Sequence, residues 1–150
     1  MRTTTFKVVA VEDDEDDRML LDEAFKEIGY EADIKKMPDG DVLFDYLGKI
    51  GKELYPSLIV LDNSLPRRSA LDVLVQLKEN KDYNHIPVVI YTTIVSPHVK
   101  EQLLAAGALS CLQKGGAMQE IVENVKWFRE IAEAQAAGKQ LPRYKGNTYI

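Results

Sequence analysis

The sequence predicts an α/β three-layer sandwich. Short, almost wholly apolar runs alternate five times with longer segments whose apolar residues recur three and four positions apart, the periods of buried strands and of helices packed on one side. The connections are short, and right-handed crossovers between parallel strands put helices on both faces of the sheet. A chain of 150 residues, 45% hydrophobic and 29% charged, is long enough for one such core and too short for two.

Phe6 to Val11 reads as a strand buried on both faces. It ends in six consecutive acids, Glu12 to Asp17, which run into the first turn of a helix with Leu20, Leu21, Ala24, Phe25 and Ile28 on one stripe. The free N–H groups of a helix start offset some of that charge, and Gly29 suits the helix end. Glu31 to Met37 is a weaker second strand, with Ala32 and Ile34 as the inward candidates. Pro38-Asp39-Gly40 then marks a turn, with Asp39 able to cap a helix carrying Val42, Leu43, Tyr46, Leu47 and Ile50. Leu58 to Leu61 is the third strand, followed at once by Asp62 and the polar loop N-S-L-P-R-R-S. Ser69 caps a helix with Ala70, Leu71, Val73, Leu74 and Leu77 buried.

Pro87 to Tyr91 is the fourth strand, with Thr92-Thr93 at its end, and Ser96-Pro97 opens a helix with Val99, Leu103, Leu104 and Ala106. Gly107 closes it. Ala108 to Gln113 contains the fifth strand, Leu109 to Leu112 being its surest part, and Lys114 stands at its end. Gly115-Gly116 leads into a long helix with Ile121, Val122, Val125, Phe128 and Ala132 on its stripe. Phe128 belongs to that stripe. Trp127 lies outside its centre, which fits an interface or edge packing equally well. The expected domain is residues 1–134. Residues 135–150, with glycines, a proline and no acidic side chain among the last fifteen, form a tail that is mobile or laid back on the surface.

A net charge of -5 and a pI near 5.1 speak against a general nucleic-acid or membrane-surface binder. No apolar segment approaches the roughly 18 residues of a membrane span, and the start M-R-T-T-T-F has no apolar export region. A single cysteine, Cys111, excludes an intrachain disulfide and a multi-cysteine metal site. The expectation is a soluble, cytoplasmic domain.

The fold gathers chemistry on one rim. In an open parallel sheet, ligands bind beyond the carboxyl ends of the strands, near the point where strand order reverses. Glu12 and Asp13, Asp62, Thr92 and Lys114 stand at the ends of the first, third, fourth and fifth strands. Carboxylates gathered at one spot suit a hard cation such as Mg²⁺. A lysine and a hydroxyl facing them suit an anion, and a lone Asp62 suits a nucleophile toward phosphorus. Taken singly, Asp62 reads as a turn former or cap, Thr92 as a turn residue and Lys114 as solvated; their conjunction is the signal.

With those motifs in view, V-E-D-D at the first strand, L-D-N-S-L-P at the third, V-I-Y-T-T at the fourth and Q-K-G at the fifth, the chain resembles the receiver domain of bacterial two-component response regulators from about Phe6 to Ala134. The resemblance implies a flavodoxin-like five-stranded parallel sheet of order 2-1-3-4-5 with five helices. It implies Asp62 as phosphoacceptor and Asp13 as a direct ligand of Mg²⁺ (or Mn²⁺). Glu12 then acts mostly through water, and Asp62 and the Ser64 backbone carbonyl complete the protein's share. Thr92 becomes the switch hydroxyl and Lys114 the partner of a phosphoryl oxygen. A histidine kinase or phosphotransfer protein supplies the phosphoryl group. The output is protein contacts through the face of helix four, strand five and helix five, homodimerisation included, since residues beyond Gln135 are too few for an output domain. Self-catalysed phosphorylation and dephosphorylation are expected, without turnover of a separate substrate.

Departures from the family pattern fall at Gly115, where proline is usual after the lysine, at Ser69-Ala70 in place of Asp-Gly, and at Cys111, which stands where the switch aromatic is usual. Arg67-Arg68 add positive charge near the acceptor. Cys111 reads as a small buried hydrophobe rather than a redox group. These departures keep open a receiver-shaped binding module that works without phosphorylation. A small phosphatase using Asp62 would need a cap or substrate pocket, which the short connections leave little chain to build.

Overall fold

Four consecutive buried residues, Val8–Val11, make the first strand β1, and β3 (Leu58–Leu61) and β4 (Val88–Thr92) are likewise buried throughout, whereas β2 (Ile34–Met37) and β5 (Ser110–Gln113), the edge strands, are each half-buried. The structure, a computed structural model, describes residues 6–144. The expectations placed on the start before Phe6 and on residues 145–150 of the tail therefore fall outside the described residues. The strands pair in parallel in the order β2-β1-β3-β4-β5, so β1 lies beside β3, with Val8 opposite both Ile34 and Leu58. Between them run α1 (Glu15–Glu27), α2 (Gly40–Lys49), α3 (Ala70–Glu79), α4 (Pro97–Ala105) and α5 (Met118–Ala136).

Strand alternation splits the core into two layers. Val8, Ala10, Val60, Tyr91 and Leu112 face α1 and α5, while Val9, Val11, Ile59, Ile90 and Cys111 face α2, α3 and α4. The starts of α1 to α4 are fixed by side-chain caps: Asp14, Asp39, Ser69 and Ser96 accept from the backbone N–H of Asp17, Val42, Asp72 and Val99. Gly29 and Gly107 take positive φ at the ends of α1 and α4, a conformation that costs glycine little.

Three local expectations are corrected. Glu31–Asp33 forms a 3₁₀ turn rather than strand, so Ala32 is exposed and, of the two inward candidates, only Ile34 enters the core. At the fifth strand Leu109 points outward while Ala108 before it is buried, and the ladder proper starts at Ser110. On the helices Leu20, Val42 and Leu104 sit at the outer edges of their stripes and stay well exposed, because each helix meets the sheet along a narrower seam than its apolar stripe suggests. Cys111 is buried, and burial pushes its thiol pKa up, which makes it a poor nucleophile.

Trp127 is only 4% exposed, and its cover comes from the segment that follows α5. Beyond α5, Gly138 at φ 68 turns the backbone, and Leu141 and Tyr144 come to lie against the α1/α5 layer.

Candidate functional site

The parallel register brings the strand ends to one rim. Glu12 follows β1 and Asp62 follows β3; the Asp62 N–H donates to Val11 O at 3.0 Å, which sets the two carboxylates side by side. Glu12, Asp13 and Asp62 each offer a carboxylate oxygen within 4.8 Å of the others, Glu12 and Asp62 buried and Asp13 exposed. The donor set is all oxygen and one member faces water, which fits a hard divalent cation that keeps part of its hydration shell.

Across from them stands Lys114, held at the end of β5 by its backbone N–H donating to Thr92 O at 2.8 Å. Its Nζ donates to Glu12 Oε1 at 2.5 Å and to Asp17 Oδ2 at 2.7 Å, and lies 3.6 Å from Asp62 Oδ1. Burial opposes the ammonium, but the bonds to Asp17 and Glu12 outweigh it and hold Lys114 above the usual lysine range. Glu12 is pushed up to about 7, chiefly by burial and then by the negative charge of Asp62, with the Lys114 bond working the other way. The Glu12 Oε2 also accepts the Asp14 N–H, and Arg18 donates to the Glu12 backbone carbonyl at 2.8 Å.

Thr92 is buried, and its hydroxyl donates only weakly, to Ile94 O at 3.5 Å. Together Asp13, Asp62, Ser64, Thr92 and Lys114 line an open cleft of about 370 Å³. All six residues singled out from the sequence thus meet at this rim. Sequence reading missed Asp17, the second anchor of Lys114. It lies in the acidic run and passed for a solvated helix start; only its position one turn into α1, on the side facing β5, distinguishes it.

The departures also find physical reasons. A Cβ at Gly115 would lie 2.5 Å from Glu120 Cβ and 3.0 Å from backbone atoms of Glu120 and Ile121, so the loop after Lys114 approaches α5 too closely for a side chain. Among the described residues no peptide bond is cis. Arg68 is turned away from the cleft: it pairs with Asp41 at 3.3 Å, donates to Gln76 and lies over the Phe44 ring.

The response regulator receiver domain model matches residues 8–126 of this chain. The chain belongs to that family. A receiver domain is a module of two-component signalling, and members bind Mg²⁺ or Mn²⁺ at an acidic pocket and interact with histidine kinases or phosphotransfer proteins. The chain is 29% identical over 127 residues to the probable methanogenesis regulatory protein FilR2 of Methanothrix harundinacea, covering 83% of this chain and 82% of that protein. Two solved structures share its fold. The phosphorylated cyanobacterial phytochrome response regulator RcpA superposes with a TM-score of 0.75 at 24% identity, over 93% of this chain and 100% of that one. The Mn²⁺-bound response regulator Rcp1 superposes with a TM-score of 0.65 at 23% identity, over 93% and 98%. No helix among the described residues is long and apolar enough to cross a membrane.

Proposed function

We propose that this chain is a phosphoryl-accepting switch in which Asp62 takes a phosphoryl group from a histidine kinase or phosphotransfer protein. The observation that carries the reading is the placement of Asp62: beside Glu12 and Asp13 on one side, and 3.6 Å from the Lys114 ammonium on the other. A carboxylate oxygen of Asp62 forms the new bond to phosphorus as the donor's bond breaks, and the bonding electrons leave with the donor atom. Glu12, Asp13, Asp62 and the Ser64 backbone carbonyl would hold Mg²⁺ (or Mn²⁺), which when bound supplies charge neutralisation for the transferring group. Lys114 balances the remaining charge, and Thr92 turns its weakly held hydroxyl toward the phosphoryl oxygens.

The receiver unit then occupies residues 1–134 with 135–150 as its tail. It signals through protein contacts on the α4, β5 and α5 face, a second copy of this chain being one such partner, and acts in the cytoplasm. RcpA, solved phosphorylated, and Rcp1, solved with Mn²⁺, share the fold and support the reading. An inward Lys114 and an outward Arg68 leave the phosphorylation-independent module without a supporting contact.

Incubation with acetyl phosphate and Mg²⁺, followed by intact mass, tests this. The expected result is a gain of ~80 Da for one phosphoryl group on one carboxylate, absent in Asp62→Ala. No adduct, together with no binding of beryllofluoride, overturns the reading in favour of the phosphorylation-independent module.

A further inference from the structure

Tyr91 precedes the switch hydroxyl Thr92 on β4, and strand alternation sends its ring to the other layer, against Phe128 at 5.2 Å. Its hydroxyl is buried there and accepts from Asn124 Nδ2 at 2.7 Å. Asn124 is buried in α5, and its side-chain carbonyl accepts from the Tyr144 hydroxyl at 2.7 Å. Tyr144 belongs to the segment after α5, which is fastened a second time by Trp127 Nε1 donating to Pro142 O at 2.9 Å and a third time by an edge contact between the Trp127 and Tyr144 rings at 5.1 Å. A polar chain therefore runs from Tyr144, after α5, to the residue beside Thr92. A buried amide with both ends satisfied is sensitive to small displacements of either partner, because an orphaned polar atom there costs more than the bond is worth.

We infer that residues 139–144 are a docked element whose seat on α5, made by Trp127 and Asn124, is coupled through Tyr91 to the phosphorylation state of Asp62. The inference rests on the phosphoryl-acceptor reading. In this structure Thr92 turns toward Ile94, not toward Asp62, and the segment is seated in that same state. A phosphoryl group that draws Thr92 inward shifts Tyr91, its neighbour on β4 and the first member of the relay. The Tyr91–Asn124–Tyr144 bonds then lose their alignment and the segment leaves, uncovering Trp127. By linkage, weakening the seat must favour the phosphorylated arrangement by the same factor. Cys111 offers no ring on the opposite layer, so Tyr91 is the aromatic of the β4–β5 rim that can report on Thr92.

Trp127 is the sole tryptophan of the chain, so its emission reports the seat directly. Full-length protein, Asp62→Ala and Tyr144→Phe are compared for acrylamide quenching before and after beryllofluoride with Mg²⁺. The expected result is shielded emission that becomes about twofold more quenchable on adduct formation, and no change in Asp62→Ala. Tyr144→Phe, which removes one hydroxyl, is expected to be quenchable without the adduct and to half-saturate at about three- to tenfold lower beryllofluoride. Adduct formation seen by mass or binding, with Trp127 equally shielded before and after and unchanged half-saturation in Tyr144→Phe, overturns the coupling while leaving the acceptor reading intact. Failure of any adduct to form removes the input and overturns both.

Discussion

On one side of Asp62, the loop between β3 and α3 is tied to α2 and α3 by its two arginines. Arg67 pairs with Asp39, and Arg68 with Asp41 and Gln76 while lying over Phe44; Asp39 and Ser69 in turn cap the helices they precede. On the other side, the loop between β4 and α4 shows the 3.5 Å bond from Thr92 to Ile94 and leaves Ile94 79% exposed. A group arriving on Asp62 therefore meets one fixed flank, which holds Ser64 in place, and one flank with little to lose by closing. Local stability of this uneven kind is what a switch needs, since the moving part is drawn from the weakly held end of the structure.

Lys114 ties the acidic end of β1 and the start of α1 to the weakly held flank, being bonded to Glu12 and Asp17 while its backbone is laddered to Thr92, and its removal has the largest expected effect. Lys114→Ala is expected to slow phosphorylation by acetyl phosphate by about 10²- to 10³-fold, the loss typical of one preorganised charge stabiliser. Mg²⁺ should bind Lys114→Ala more tightly, because an ammonium no longer shares the carboxylates. A time course by intact mass and a Mg²⁺ titration separate the two. If both activities fall together, Lys114 only props the rim and the moving flank has lost its link.

The sheet and the helix starts were the legible part of the sequence, whereas Arg67 and Arg68 read only as charge near the acceptor and not as ties to Asp39 and Asp41. Uniformly apolar runs gave β1, β3 and β4, and cap residues gave the starts of α2, α3 and α4, because both signals are local. What escaped has a non-local cause. Asp17 matters through Lys114, 97 residues away. Trp127 looked off-stripe because its cover is a segment folded back from beyond α5. Tyr91 and Asn124 each read as ordinary strand and helix residues, and only the fold makes them partners. Gly115 registered as a missing proline, whereas the close approach of Glu120 supplies the reason for glycine.

The acidic end of β1, which lies between the flanks, can be probed through Glu12, whose carboxyl is pushed up to about 7 from 4.5. With a raised folded-state value, the metal-free protein binds more protons than the unfolded chain between those limits, so its stability falls as pH rises through that window. Cation binding needs the carboxylate, so protons compete with it below the upper limit. Mg²⁺ affinity is expected to be about tenfold weaker near pH 6 than near pH 8. Glu12→Gln should flatten the dependence. A flat profile in the unaltered protein would remove Glu12 from the cation's surroundings and leave Asp13 and Asp62 alone to meet it.

The finest test concerns how firmly the arginine flank is held. Arg67 sits at φ 64, a left-handed conformation that costs a residue with a Cβ about 1 kcal/mol. Its guanidinium is 66% exposed, so its pair with the buried Asp39 returns little by itself. Arg67→Ala keeps the backbone cost and loses the pair, whereas Arg67→Gly loses both. Arg67→Gly should therefore be the more stable of the two by about 1 kcal/mol in urea unfolding, and close to the unaltered protein. If Arg67→Ala and Arg67→Gly unfold alike, the loop relaxes around position 67, and the β3–α3 flank is as free to move as the one it was set against.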